Sequence, residues 1–332
     1  EFQESKKEDM ITMCAGASFD PNARCEHWEA FLKDVLVNDE LIAYIQREAG
    51  YSLTGDTTEQ SFRLLYGRGA NGKTVFISVL RSLFGDYAKN TPFVTFLVQR
   101  GGGIRNDLAI LQNARLVTAA EPGKGAMFDL SVLNDWTGGD PVTARFLFGE
   151  FFEFHPQGKI WLICNNKPII NETTYAAWRR PRLIPFTVEI PKEKQNPQLA
   201  EELKKELPGI LNWALVGLKE WHEIGSNPPS IVLEATEEYR RESDSIGAFI
   251  DARCQITPAG GCYNKVIRPE YKRFCDDTGF DIESQKEFTA YLKRTEGIRW
   301  EKSERGVVWH GIDLIPEGGG HIVNRVCNDM CL

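Results

Sequence analysis

The chain has 332 residues, 42% of them hydrophobic, enough for a large core spread over two or three domains. It contains no run of eighteen apolar residues, and its opening, EFQESKKEDM, lacks the apolar stretch of a secretory leader; this excludes a membrane-spanning helix and predicts a cytoplasmic protein. The net charge of −8 is uneven: residues 61–180 hold 14 Lys/Arg against 9 Asp/Glu, whereas residues 1–60 hold 5 against 13. A basic middle between acidic ends suits a polyanion site in the centre, and ATP alone explains part of the excess. The eight cysteines form no C-x-x-C pair. They read as free thiols, with Cys254, Cys262 and Cys275 as the one set from which a zinc site could be built.

Residues 1–22 are polar and irregular. From His27 the apolar residues Trp28, Phe31, Leu32, Val35 and Leu36, then Leu41, Ile42 and Ile45, recur at helical spacing. This predicts a small helical domain whose stripe is core. Phe62–Leu83 is the most informative stretch. An apolar run, Leu64 to Tyr66, enters a glycine-rich turn, followed by Lys73, Thr74 and a helix from about Val75. The pattern G-x-x-x-x-G-K-[ST] between a strand and a helix is a P-loop. Gly67, Gly69 and Gly72 let the backbone, with Ala70 and Asn71, curl its N–H groups inward. The helix that opens with Val75 points its positive end at the same place. Lys73 suits β- and γ-phosphate oxygens, and the Thr74 hydroxyl suits Mg²⁺.

Further on, GDYAKNTPF reads as a turn, and RGGGIR, residues 100–105, as a loop facing either nucleic acid or solvent. NDLAILQNA has helical spacing. Arg115–Ala120 is an apolar strand that ends at Glu121, where a carboxylate could orient water or hold Mg²⁺ through water. Ala120 precedes it rather than a second acid, which leaves Asp140 or Asp107 to supply one. A helix over FDLSVLNDWTGG precedes a turn at Gly138–Pro141 and an aromatic strand or hairpin through Phe154. Its phenylalanines are expected in the core, and Arg145 and Lys159 are candidate contacts to DNA. Lys159–Cys164 is another buried strand, ending at Asn165, whose amide could bond the γ-phosphate or the attacking water. Arg179, Arg180 and Arg182 then precede a further strand. Residues 197–245 read as a helical lid or bundle. Beyond them, a helix over PEYKRFCDDTG, a second opened by Ser284 with Glu287 three residues on, and two strands around residues 304–306 suit a winged helix. There Lys286, Lys293, Arg294, Arg299, Lys302 and Arg305 could meet DNA phosphates; the alternative is a protein-docking wing with ordinary solubilising charge.

Taken in this order, YGRGANGKT, NDLAILQNARLVTAAE, WTGGDPVTARF, ICNNKP, AWRRPRLIPF and PPSIVLEATEEYRRESD resemble the helicase half of phage and plasmid primase-helicases, superfamily 3 of the AAA+ ATPases. The resemblance covers about residues 10–315. It implies an α/β fold: an AAA+ P-loop ATPase core with a parallel sheet (59–192), an N-terminal helical domain (1–58), a helical lid (193–250) and a C-terminal winged-helix-like domain with a tail (251–332). It implies a homo-hexameric ring that hydrolyses ATP with Mg²⁺ between subunits and moves 3′→5′ on single-stranded or forked DNA. Lys73 and Thr74 fall on the phosphates and Mg²⁺, Glu121 on the acidic Walker element, Asn165 on the sensor, and Arg180 or Arg179 on a finger that reaches the neighbour's site. Arg145 falls toward the pore. No primase or polymerase motif is present, and an upstream part of a longer protein is expected to carry it. The rival functions are an ATP-switch origin-binding or loader protein without unwinding activity, and a small-molecule kinase.

Overall fold

The computed structural model describes residues 6–36, 38–99, 105–123, 125–170, 172, 174–280, 282–304 and 306–315. Arg100–Ile104 of the glycine loop, Arg305 and the C-terminal tail lie outside the described residues. Contacts divide the chain into two compact units, 1–239 and 240–332.

The first unit opens with α1 (Glu26–Leu36) and α2 (Asp39–Ser52), followed by β1 (Phe62–Tyr66), α3 (Lys73–Phe84) and β2 (Ala88–Asn90). Next come α4 (Asn106–Ala109), β3 (Leu116–Ala120), α5 (Leu130–Gly138) and an antiparallel hairpin of β4 (Val142–Ala144) with β5 (Phe152–Phe154). β6 (Lys159–Cys164), α6 (Tyr175–Trp178) and β7 (Pro181–Pro185) complete the sheet; α7 (Leu199–Leu203), α8 (Leu207–Ile224) and α9 (Ser230–Ser243) follow. Five parallel strands pair in the order β2-β3-β6-β1-β7. This is the α/β architecture of a P-loop protein, with helices on both faces.

Burial on both faces explains why these strands read as continuous apolar runs rather than as alternating ones. Leu65, Ile163 and Ile184 point into one core cluster with residues of α1, α2, α3 and α8, and their neighbours Leu64, Leu162 and Leu183 into the other with residues of α5 and α9. Trp28 of α1 stacks on Phe76 of α3 at 5.5 Å and meets Trp213 of α8 edge-on at 5.6 Å. α2 and α8 touch backbone to backbone through two glycines. A Cβ on Gly50 would lie 2.2 Å from the Leu218 nitrogen, and one on Gly217 would lie 2.0 Å from the Gln46 oxygen.

One charged pair is sealed inside this unit. Arg63 of β1 and Glu48 of α2 are fully buried and salt-bridged. The guanidinium also donates to the Ser61 carbonyl at 3.0 Å and lies 5.3 Å from the Tyr51 ring, and the Ser226 hydroxyl donates to Glu48. Removing one partner of a buried pair strands the other charge in a low-dielectric core. Glu48→Gln is therefore expected to lower unfolding free energy by about 3–5 kcal/mol, read by urea denaturation. A loss below about 1 kcal/mol, the size of a surface pair, would show that water reaches Arg63.

The second unit runs α10 (Ser245–Arg253), β8 (Cys254–Tyr263), α11 (Asn264–Thr278), α12 (Gln285–Arg294), β9 (Arg299–Ser303) and β10 (Gly306–Leu314). Its three strands pair antiparallel in the order β8-β10-β9 around a core that includes Phe249, Tyr271, Phe288, Leu292 and Trp309. α12 and the β9–β10 hairpin lie where the sequence pattern placed them, whereas α11 begins at Asn264, ahead of the expected start at Pro269. β8 was not anticipated, because the Thr257–Gly261 segment (TPAGG) interrupts it with turn-forming residues. Among the described residues no three His, Cys, Asp or Glu side chains gather as metal ligands; Cys254, Cys262 and Cys275 are buried.

Candidate functional site

In a parallel sheet the strand exits all face one edge, which is where such folds bind ligands. Tyr66 of β1 pairs with Cys164 of β6, and Ala120 of β3 with Ile163, so the residues that follow each strand emerge side by side. These are Gly67, Asn165 and Glu121. The Glu121 amide donates to the Ile163 carbonyl at 2.9 Å, and its φ of +62° is a strained left-handed conformation for a residue with a side chain.

The P-loop wraps this edge. Gly67 is buried, and a Cβ there would lie 2.3 Å from the Phe186 oxygen. Gly69 (φ +115°), Ala70 (φ +47°) and Gly72 (φ +84°) lie in the left-handed region, and at Gly72 a Cβ would also come within 2.8 Å of Val35 on α1. The Asn71 amide nitrogen donates to the Phe186 carbonyl at 3.0 Å, bracing the loop against the exit of β7. The Lys73 ammonium is buried and donates to the Gly67 carbonyl at 2.7 Å and the Asn71 Oδ1 at 3.0 Å. Burial holds its pKa below the ordinary lysine value, a shift that Cys164 and Glu121 partly oppose. α3 begins at Lys73, two residues before the expected start, and its first-turn N–H groups point at the loop.

A cavity of about 510 Å³ opens over this edge, lined by Gly69–Val75, Glu121 and Asn165. A basic residue, a hydroxyl, a carboxylate and an amide thus share one pocket. Thr74 and Glu121 are both exposed into it, two hard oxygen donors of the kind Mg²⁺ takes while phosphate and water fill its other positions. Neither candidate second acid lines the cavity. Asp107 is paired with Arg105 at 3.1 Å, and Asp140 lies in the turn that follows α5.

The profile of the family described as Family of unknown function (DUF5906) matches residues 65–180. "Putative helicase L207/L206" of Acanthamoeba polyphaga mimivirus is 27% identical over 275 residues, 75% of this chain and 28% of that protein. "Putative helicase 022R" of Frog virus 3 is 26% identical over 249 residues, 69% of this chain and 26% of that one. The chain therefore spans little more than a quarter of these relatives. Among solved structures, the apo C-terminal region of NrS-1 superposes with a TM-score of 0.54 at 10% identity, over 90% of this chain and 79% of that one, a likeness of fold.

The arginines lie elsewhere. β7 is parallel to β1 with Phe62 opposite Pro181 and Tyr66 opposite Pro185, so Arg179 and Arg180 stand where β1 begins and the P-loop where it ends. Five residues of strand separate them, roughly 16 Å, and neither arginine lines the cavity. Arg179 is exposed. Arg180 is partly buried and donates to the Thr137 Oγ1 at 2.6 Å; burial and Arg179 draw its pKa down against the pull of Asp140 and Asp135.

Lys159 is not a surface contact for DNA, contrary to the sequence expectation. It starts β6 at that same far edge, is buried, and gives its ammonium to the Thr54 and Gln157 carbonyls at 2.5 and 3.0 Å. Burial, with Arg63 and Arg115 nearby, pushes its pKa down to about 6. The hairpin phenylalanines also depart from expectation. Phe154 is buried, but Phe146, Phe151 and, at 97% exposure, Phe148 stand in solvent at the tip. Phe148 sits at φ +64°, and the Arg145 guanidinium lies 4.6 Å from the Phe151 ring.

Sequence reasoning missed the far wall of the cavity, where Phe31, Ile190, Lys194, Asn196 and Leu199 complete the lining. Phe31 carried only the signal of a core stripe. Residues 190–197 carry no motif, and only the tertiary fold brings them over the P-loop.

Proposed function

We propose that this chain is the motor domain of an ATP-driven DNA helicase of superfamily 3 of the AAA+ ATPases, working as a homo-hexameric ring in phage, plasmid or viral replication and moving 3′→5′ on single-stranded DNA. The observation that carries the reading is the gathering of Lys73, Thr74, Glu121 and Asn165 around one cavity, with Arg179 and Arg180 at the opposite edge of the sheet. Lys73 exchanges its two loop acceptors for β- and γ-phosphate oxygens, and the loop amides cradle the same groups. Thr74, and Glu121 through water, would hold Mg²⁺, and the ion would supply neutralisation of phosphate charge. Glu121 orients the attacking water and Asn165 bonds the γ-phosphate. Phe31 and Ile190 offer apolar walls for the base. Arg180 or Arg179 cannot serve the pocket of its own chain and acts on the neighbour's. The similarity to proteins named as helicases supports the choice of nucleic acid as the substrate.

The β4–β5 hairpin supports a DNA contact through its tip, where Arg145 and the exposed Phe148 present one charge and one open ring face. Base–aromatic stacking contributes about 1–3 kcal/mol. The test is ATP hydrolysis with and without single-stranded DNA, beside strand separation on a forked duplex. Single-stranded DNA should raise hydrolysis in the wild type. Phe148→Ala should need about tenfold more DNA for half-maximal stimulation while keeping its DNA-free rate. Hydrolysis indifferent to DNA, with no strand separation, would instead favour an ATP-switch protein.

A further inference from the structure

We propose that Thr137, in the last turn of α5, is the residue that positions Arg180 for the nucleotide of the neighbouring copy. The inference rests on the shared-site reading above and gives the aim of the finger to a side chain that lines no part of the cavity. Three arginines crowd the start of β7, and their contacts differ. Arg182 turns back on its own backbone and donates to the Arg179 and Pro181 carbonyls at 2.7 and 3.1 Å. Arg179 is exposed. Arg180 reaches across to another element and donates from one terminal nitrogen to the Thr137 Oγ1 at 2.6 Å.

That contact runs one way. The Thr137 hydroxyl gives its single proton to the Leu133 carbonyl one turn back, at 2.6 Å. Toward Arg180 it can therefore only accept. A guanidinium carries its N–H donors in one rigid plane, so a side chain tethered at its Cα and pinned at one corner presents the remaining donors in a defined direction. The setting favours the cation. The last turn of a helix carries the partial negative charge of its open carbonyls, and Asp135 and Asp140 add their attraction.

Thr137 is held in its turn. It is buried, and so is Trp136 beside it, whose indole N–H donates to the Gly158 carbonyl at 2.7 Å. At the start of α5 the Asp129 carboxylate accepts from the Ser131 and Val132 amides. At its end Gly139, at φ +75°, closes the helix, and the His155 Nδ1 reaches the Gly139 carbonyl at 3.0 Å. The helix is clamped at both ends, and Thr137 offers Arg180 a fixed acceptor. Without that acceptor the guanidinium would have to be ordered anew for each transition state, against its own rotamer entropy.

The test is steady-state ATP hydrolysis by the whole chain. Thr137→Val keeps the shape of the side chain and removes the acceptor. It should lower kcat by about ten- to a hundredfold through lost alignment, and leave KM and fluorescent-nucleotide affinity within about twofold. Thr137→Ser should restore most of kcat. Adding Thr137→Val to Arg180→Ala should cost little more than Arg180→Ala alone, because both remove one function. In mixtures, Thr137→Val chains should regain turnover with Lys73→Ala chains and not with Arg180→Ala chains; a defect in the variant's own pocket would reverse that pattern and overturn the proposal. Should Thr137→Val melt below the assay temperature, Thr137→Ala removes the same hydroxyl in a stronger helix former and carries the same expectation. If Arg180→Ala leaves turnover intact, the shared-site reading itself fails. If Arg180→Ala collapses turnover while Thr137→Val does not, the positioning role alone is overturned, as it is by a loss that Thr137→Ser does not restore.

Discussion

Replacing Arg180 with alanine should lower ATP turnover by about three orders of magnitude or more, while nucleotide affinity changes little. Arg180 sits beside the first residue of β1, and the P-loop follows the last, so within one chain its guanidinium cannot approach the γ-phosphate. Its effect on turnover must then come through another copy, where it would meet charge that develops in the transition state and not the ground-state nucleotide. Partial burial and the bond to Thr137 hold the side chain in place, whereas the exposed Arg179 must give up more freedom to act. The loss from Arg179→Ala should therefore be smaller. Steady-state hydrolysis and fluorescent-nucleotide binding on each variant check this, and a parallel loss of binding and turnover would count against a finger role.

Lys73→Ala should abolish measurable hydrolysis, a fall of at least two to three orders of magnitude, and should weaken nucleotide binding as well. Here the charge faces the chain's own pocket, and in the proposed mechanism it would act on bound and reacting phosphate alike. The nucleotide-free protein should not suffer. Burial disfavours the Lys73 ammonium, whose hydrogen-bond acceptors among the described residues are a carbonyl and an amide oxygen. Thermal melting without nucleotide should show the variant at least as stable as the wild type, and only the wild type should gain stability when ATP is added. A variant already unfolded without nucleotide would make Lys73 a structural residue.

Much of this site is legible in the sequence because it is local. Lys73 and Thr74 lie in one contiguous motif, and Glu121 and Asn165 each follow an apolar strand. Parallel pairing then brings them to one edge without further instruction. What stayed hidden depends on tertiary placement. An exposed phenylalanine and a buried one have the same β preference, so the hairpin tip read as core. Lys159 read as a surface charge because nothing in KIWLIC reveals two carbonyls waiting across the fold. β2 is three residues long beside Pro92 and carries too little pattern to be seen. The second acid sought at Asp107 or Asp140 is absent from the cavity, and the far wall of that cavity comes from residues 31 and 190–199, distant in sequence from any motif.

The claim on which the rest depends is that each hydrolytic site is shared by two copies of the chain. The most direct measurement mixes inactive Lys73→Ala and Arg180→Ala chains in equal amounts with nucleotide and follows phosphate release. A site built from the intact P-loop of one and the intact Arg180 of the other is complete, and random assortment around a ring makes roughly a quarter of the sites so. The account predicts recovery of hydrolysis toward that fraction of the wild-type rate. Mixed assemblies as inactive as either parent, or an isolated single copy of the wild type that hydrolyses ATP at full rate, would contradict it.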